Sequence, residues 1–174
     1  MTTRASAGRI LVGIDGSAAA AAALRWAAAE ARVRGLRLHV VYVRDRDDPE
    51  LAPYAPLGDG TDDLRIPLET TLRLAVHAAL GPDLPPACVL EAADGLPVHV
   101  LLDRAEGAQM LVLGNSRPGG TGAGWRGRPM APLGPVARDC VRGAPCPVVV
   151  VRPGYVEAPA RLVAPPVGRV AEAC

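Results

Sequence analysis

An apolar run that ends in a carboxylate, Ile10-Leu11-Val12-Gly13-Ile14-Asp15-Gly16-Ser17, is the first place where this chain offers chemistry. A carboxylate at a strand's end, just before a helix, can accept hydrogen bonds from a ribose or a base. It can equally tighten the turn and help cap the helix, and position alone leaves both readings open. The second place is Gly114-Asn115-Ser116-Arg117-Pro118-Gly119-Gly120, followed by a Gly/Arg-rich stretch to Leu133. Glycines let backbone amides approach an anion, and a following helix adds the positive end of its dipole. A phosphate loop and a long flexible connection both fit.

Other chemistries lose their residues. All 19 basic residues are Arg. Without Lys there is no P-loop, no Schiff-base amine and no receiver-type phosphoacceptor site. Gly122-Ala123-Gly124-Trp125-Arg126-Gly127 spells the dinucleotide fingerprint. That fingerprint must join a strand directly to a helix, whereas this one begins well past the apolar run ending at Leu113 and runs into Arg128-Pro129. Gly114-Asn115-Ser116-Arg117-Pro118 lacks the final Gly of a nucleophile elbow. His39, His77 and His99 fall in a strand and two helices, away from Ser116 and Asp15, so no triad and no catalytic residue is expected. Asp45, Asp47, Asp48, Asp59, Asp62 and Asp63 do not have EF-hand spacing, and no metal is expected. Cys88, Cys140, Cys146 and Cys174 form no C-x-x-C pair and read as buried or incidental thiols of a reducing cytosol.

The elements that must position these residues alternate along the chain. Ile10–Ile14 reads as a strand covered on both faces. Ser17 is placed to cap a helix to Arg34 with Leu24, Ala27, Ala28 and Ala31 on one face, and Gly35 stops it. Leu38–Val43 is a second strand. Residues 44–65 are an acidic, Pro-rich loop. Leu68, Leu72, Ala75, Val76 and Ala79 mark a second helix ending at Gly81-Pro82. Residues 87–92 form a third strand. Pro97 opens a third helix with Val98, Leu101, Leu102 and Ala105 on its face, ended by Gly107. Met110–Leu113 is a fourth strand. Leu133, Val136, Ala137, Cys140 and Val141 mark a fourth helix closed by Gly143, and Val148–Val151 is the fifth strand. Residues 1–8 and 153–174 are tails.

This order predicts one α/β domain over 9–152, a doubly wound, mainly parallel sheet with helices on both faces. Ligands of such sheets sit beyond the carboxyl ends of the strands, here after Ile14, Val43 and Leu113. At 174 residues the chain can bury a real core, and a net charge of +1 recruits neither nucleic acid nor an acidic membrane. The first apolar run is too short for a signal peptide or a membrane span, so the expected location is cytoplasmic. Arg in place of Lys, with abundant Ala, Gly and Pro, is the composition of a GC-rich bacterial genome.

Arg9-Ile10-Leu11-Val12-Gly13-Ile14-Asp15-Gly16-Ser17 and Leu24-Arg25-Trp26-Ala27 resemble the opening of the universal stress protein family. Gly95-Leu96-Pro97, Met110-Leu111-Val112-Leu113-Gly114 and Ala144-Pro145-Cys146-Pro147-Val148-Val149-Val150-Val151-Arg152 resemble its later elements. The resemblance covers 9–152 apart from the acidic loop and the Gly/Arg-rich loop of 115–132. It implies a five-stranded sheet of order 3-2-1-4-5, similar to the adenine nucleotide alpha hydrolase-like fold. It also implies a homodimer through the last strand, 148–151, a role in stress survival with an unknown regulatory partner, and ATP as the possible ligand.

The family's signature after the fourth strand is Gly, two residues, Gly, nine residues, then Gly before Ser or Thr. Here Gly114 matches, Arg117 stands at the second Gly, and Gly134 is followed by Pro135 after a longer interval. Pro135 has neither hydroxyl nor N–H, so two phosphate donors vanish together. Arg117, Arg126 and Arg128 are placed to compensate electrostatically. The resemblance carries nucleoside recognition onto Gly13, Asp15, Val43, Leu113 and Gly114, and the phosphate side onto Arg117, Gly134 and Val136. The expectation is a non-catalytic regulator with weak or altered adenine-nucleotide binding. Its alternatives are a nucleotide-independent dimeric interaction module and, last, a nucleotide hydrolase.

Overall fold

A computed structural model describes residues 8–45, 65–82, 84–85, 87–115 and 132–153. Five strands, β1 (Arg9–Ile14), β2 (Arg37–Arg44), β3 (Cys88–Asp94), β4 (Met110–Gly114) and β5 (Val148–Val151), form one sheet of order β3-β2-β1-β4-β5. Every pairing is parallel, with Val12 opposite Val40 on one side and Val112 on the other. The helices are α1 (Ala18–Arg34), α2 (Arg65–Leu80), α3 (Pro97–Ala105) and α4 (Pro135–Gly143). This is the expected class and strand order.

Alternation of side chains divides the core. Ile10, Val12, Leu38, Val40 and Val112 pack under α1 and α2, with Leu24, Ala27, Leu72 and Val76. Leu11, Val41, Leu111 and Leu113 pack under α3 and α4, with Leu101, Ala105, Ala137 and Cys140. Strands buried on both faces explain why β1 and β4 read as unbroken apolar runs.

The helix ends follow their capping residues. Ser17 Oγ accepts the Ala20 N–H at 3.1 Å. Gly35, at φ 63°, ends α1 with its N–H on Arg32 O, while Leu36 N–H reaches back to Ala31 O. That pair of bonds is a Schellman ending, and its left-handed residue favours glycine. At the far end of the sheet, Arg9 Nη2 donates to Arg104 O at 3.0 Å and Glu106 O at 2.7 Å. Its charge sits against the negative end of α3.

Several boundaries and one helix face differ from the sequence reading: β1 begins at Arg9, β2 runs Arg37–Arg44, β3 runs Cys88–Asp94 and β4 extends to Gly114. Arg44 closes β2 and Arg65 opens α2, so the acidic loop is shorter at both ends than 44–65. Gly143 lies inside α4, and Ala144 caps it in extended backbone with its N–H on Cys140 O. Val141 is 49 % exposed and does not belong to the buried face of α4, which is carried by Ala137 and Cys140. The interior of the acidic loop, the fingerprint at 122–127, Cys174 and most of both tails lie outside the described residues.

Candidate functional site

The strand order reverses between β1 and β4: β2 lies on one side of β1, and β4 continues the sheet on the other. The carboxyl ends of β1, β2 and β4 open there into a cavity of about 130 Å³. A single water needs only ~10–15 Å³, so this is a cleft and not a packing defect. Six of the residues expected at the site line it: Gly13, Asp15, Val43, Leu113, Gly114 and Val136. Crossovers on both faces of a parallel sheet bring them together from three strands and one helix.

Gly13 and Gly114 shape the cleft for reasons internal to the fold. A Cβ on Gly13 would lie 2.9 Å from methyl carbons of both Leu101 and Leu113. A Cβ on Gly114 would lie 2.5 Å from the Ala19 carbonyl carbon and 2.6 Å from the Ala20 nitrogen. The start of α1 thus rests directly on the end of β4, which the run of alanines in α1 permits.

Asp15 stands exposed at the rim, and its Oδ1 accepts the Ser17 N–H at 2.9 Å. One carboxylate oxygen therefore tightens the turn as an Asx bond. This confirms the turn role and leaves Oδ2 for a second use. Asp15 is the only ionisable residue of the cavity wall among the described residues. The rest of the wall is apolar, as a surface facing a base or an aliphatic ligand would be.

Among the described residues, one expected residue is not in the wall. Gly134 caps α4, and its N–H donates to Asn115 Oδ1 at 3.2 Å. Arg117 lies outside the described residues, as do Arg126 and Arg128. Pro135 is the first residue of α4, as its missing N–H suits. Val136 and Ala137 bring the next turn positions to the cleft.

Sequence reasoning missed several wall residues. Val41 was legible, two residues before Val43 and so on the same face of β2. Pro97 and Leu101 of α3 face the cleft one helical turn apart. Behind the wall, Asn115 was the largest omission. It is 3 % exposed, with Nδ2 donating to Pro132 O at 3.3 Å, and its partners lie 17 and 19 residues away.

The titratable groups that are clearly perturbed lie away from the cleft. Burial outweighs the pull of Glu91 and lowers the pKa of His39, which meets Glu91 Oε2 at 2.8 Å. The short contact and the lowered pKa agree if neutral His39 donates an ordinary hydrogen bond, and not as an ion pair. Arg104 Nε donates to the other Glu91 oxygen at 2.9 Å. Burial, helped by Asp139, pushes the Cys140 thiol up to about 11. Among the described residues no cluster of three or more His, Cys, Asp or Glu could hold a metal. None of the described helices is long and apolar enough to cross a membrane.

The fold has known counterparts. A universal stress protein of Mycobacterium tuberculosis is 34 % identical over 149 residues, covering 82 % of this chain and 46 % of its own length. One from Mycobacterium bovis is 34 % identical over 146 residues, covering 82 % and 47 %. The chain thus spans about half the length of these curated relatives. Among solved structures, a universal stress protein of Lactobacillus plantarum superposes with TM-score 0.60 at 28 % identity, covering 86 % of this chain and all of that one. One from Archaeoglobus fulgidus, solved in complex with dAMP, gives TM-score 0.55 at 26 % identity, covering 83 % and 97 %. The universal stress protein family model matches residues 7–152, and this chain belongs to that family.

Proposed function

We propose that this chain is a non-catalytic stress-response protein whose cleft takes the nucleoside half of an adenine nucleotide and holds the phosphates weakly. The observation that carries the reading is the contrast between the two halves of the site. On the nucleoside side, Asp15, Val43, Leu113 and Gly114 converge on one apolar cleft at the switch point of the sheet. On the phosphate side, the start of α4 has no N–H at Pro135 and a committed N–H at Gly134. The Archaeoglobus fulgidus relative in complex with dAMP supports the adenine class of ligand. ATP is the physiological candidate, with Arg117 and the neighbouring arginines supplying charge.

The assembly proposed is a homodimer. Val148–Val151 ends the sheet as four valines, an apolar edge that a second copy would cover across a two-fold axis. A cytoplasmic location and an unidentified regulatory partner complete the proposal.

One observation favours a second reading, a nucleotide-independent interaction module. Gly13 and Gly114 are required by packing whether or not a ligand binds. Thermal unfolding with and without ATP and magnesium separates the two. A ligand that binds only the native state must raise the melting temperature. A rise supports the nucleotide site, and an unchanged melting temperature at millimolar ATP supports the interaction module.

A further inference from the structure

We propose that Asn115 sets the ligand preference of this cleft: by holding the Gly134 amide it removes the advantage that a polyphosphate would have over a bare adenosine-type ligand. The inference rests on reading the cleft as an adenine-nucleotide site. Asn115 follows β4, and its backbone N–H donates to Val151 O at 2.8 Å. Its carboxamide is buried, so both ends must be satisfied. They are satisfied on one short segment: Nδ2 on Pro132 O and Oδ1 on the Gly134 N–H. The side chain therefore ties the end of β4 to the entry of α4.

The consequence appears in the donors of that entry. The first turn of a helix presents backbone N–H groups with no intrahelical acceptor, and these are what an anion binds. In α4 the Gly134 N–H points into Asn115, and Pro135 has none. Val136 and Ala137 remain, and both reach the cleft. Two adjacent N–H groups serve one anionic group. A chain of phosphates needs donors beyond them, and Gly134 is the next along the backbone. Gly134 itself is in ordinary extended backbone, at φ −61° and ψ 160°, and a Cβ there would approach Asn115 Oδ1 no closer than 3.9 Å. Its conformation and described surroundings do not demand glycine. What it contributes is an amide, and Asn115 has taken it. Asn115 is absent from the cavity wall and acts through Gly134, as a positioning residue.

The test is calorimetric titration of the full chain and of Asn115→Ala with adenosine and with ATP. It is run in ~1 M salt, where a Debye length of about 3 Å screens most of the arginine contribution. The wild type is expected to bind adenosine and ATP with affinities within about threefold of one another, less than one charge-assisted bond is worth. In Asn115→Ala, adenosine affinity should hold while ATP affinity rises about tenfold, the worth of one recovered bond. Wild type that binds neither ligand overturns the site reading and this inference with it. Wild type that binds adenosine, but ATP at least about tenfold tighter, overturns only the role of Asn115. A residue that merely braced the fold would lower both affinities together in the variant, and that result also overturns the proposal. Should Asn115→Ala fail to fold, the Gly134 amide resonance of the wild type decides. An amide whose shift and exchange protection are unchanged by ATP supports the assignment, and one that moves on ATP addition overturns it.

Discussion

Gly114 lies so close to the start of α1 that a Cβ on it would sit 2.5 Å from the carbonyl carbon of Ala19. The obstacle is backbone on both sides, and neither β4 nor α1 can yield without disturbing the sheet. Gly13 differs, because the atoms a Cβ would meet are the methyl ends of Leu101 and Leu113. Gly114→Ala is expected to cost at least the upper end of the ~1–3 kcal/mol typical of overpacking, and Gly13→Ala the lower end. Urea unfolding of the two variants checks the order. Equal losses would contradict the backbone contact as the cause.

Asp15 has two roles that substitution can separate. Asn at this position keeps an acceptor for the Ser17 N–H, and Ala does not. Asp15→Asn is expected to unfold within about 0.5 kcal/mol of wild type, as a retained surface bond implies, while adenosine binding weakens at least tenfold, about one charged hydrogen bond. Asp15→Ala should lose both stability and binding. Undiminished adenosine affinity in Asp15→Asn would reduce Asp15 to a turn residue.

His39 predicts how stability depends on pH. Its folded pKa is below the ordinary 6.5, because burial and the charges of Arg9 and Arg104 outweigh Glu91. The unfolded chain therefore binds the proton more readily than the folded one between those two values. Stability contributed by neutral His39 is present above about pH 6.5 and is lost as pH falls through the folded pKa. Denaturant midpoints measured from neutral pH down to 5 should fall, and His39→Gln should flatten that slope. A wild-type midpoint that rose on acidification would show the His39–Glu91 contact to be a true ion pair.

Cys140 has no exposed surface, and its thiol pKa is pushed up to about 11. Little thiolate exists at pH 8, and little reagent reaches it. Thiol labelling should modify Cys140 only at the rate of unfolding, later than half-buried Cys88 and Cys146. Fast labelling of Cys140 in native protein would contradict the packing of α4 on the sheet.

The dimer is tested by light scattering at micromolar concentration, where twice the chain mass is expected. A monomer mass would contradict pairing through β5.

The fold was legible because its signals are local. Ser17, Gly35, Pro97 and Gly107 act on their own backbone, and valine-rich runs mark strands without knowledge of their neighbours. The nucleoside side of the cleft was legible for a related reason: strand ends at a switch point converge by topology. Gly143 misled, because a glycine near a helix end looks like a stop whether or not the chain turns left-handed there. Asn115 was illegible because its meaning depends on Pro132 and Gly134, which lie 17 and 19 residues further along the sequence. The packing reasons for Gly13 and Gly114 were hidden likewise, in contacts with α3 and α1.

The central claim is a site that recognises the nucleoside and holds phosphate by charge more than by backbone amides. Calorimetric titration of the wild type with ATP at low and high salt tests it most directly. Weak binding that falls steeply with added salt is the predicted result, since charge without fixed donors is screened. Tight ATP binding that salt leaves unchanged would contradict the account, and would show that the chain builds a phosphate cradle without Gly134 and Pro135.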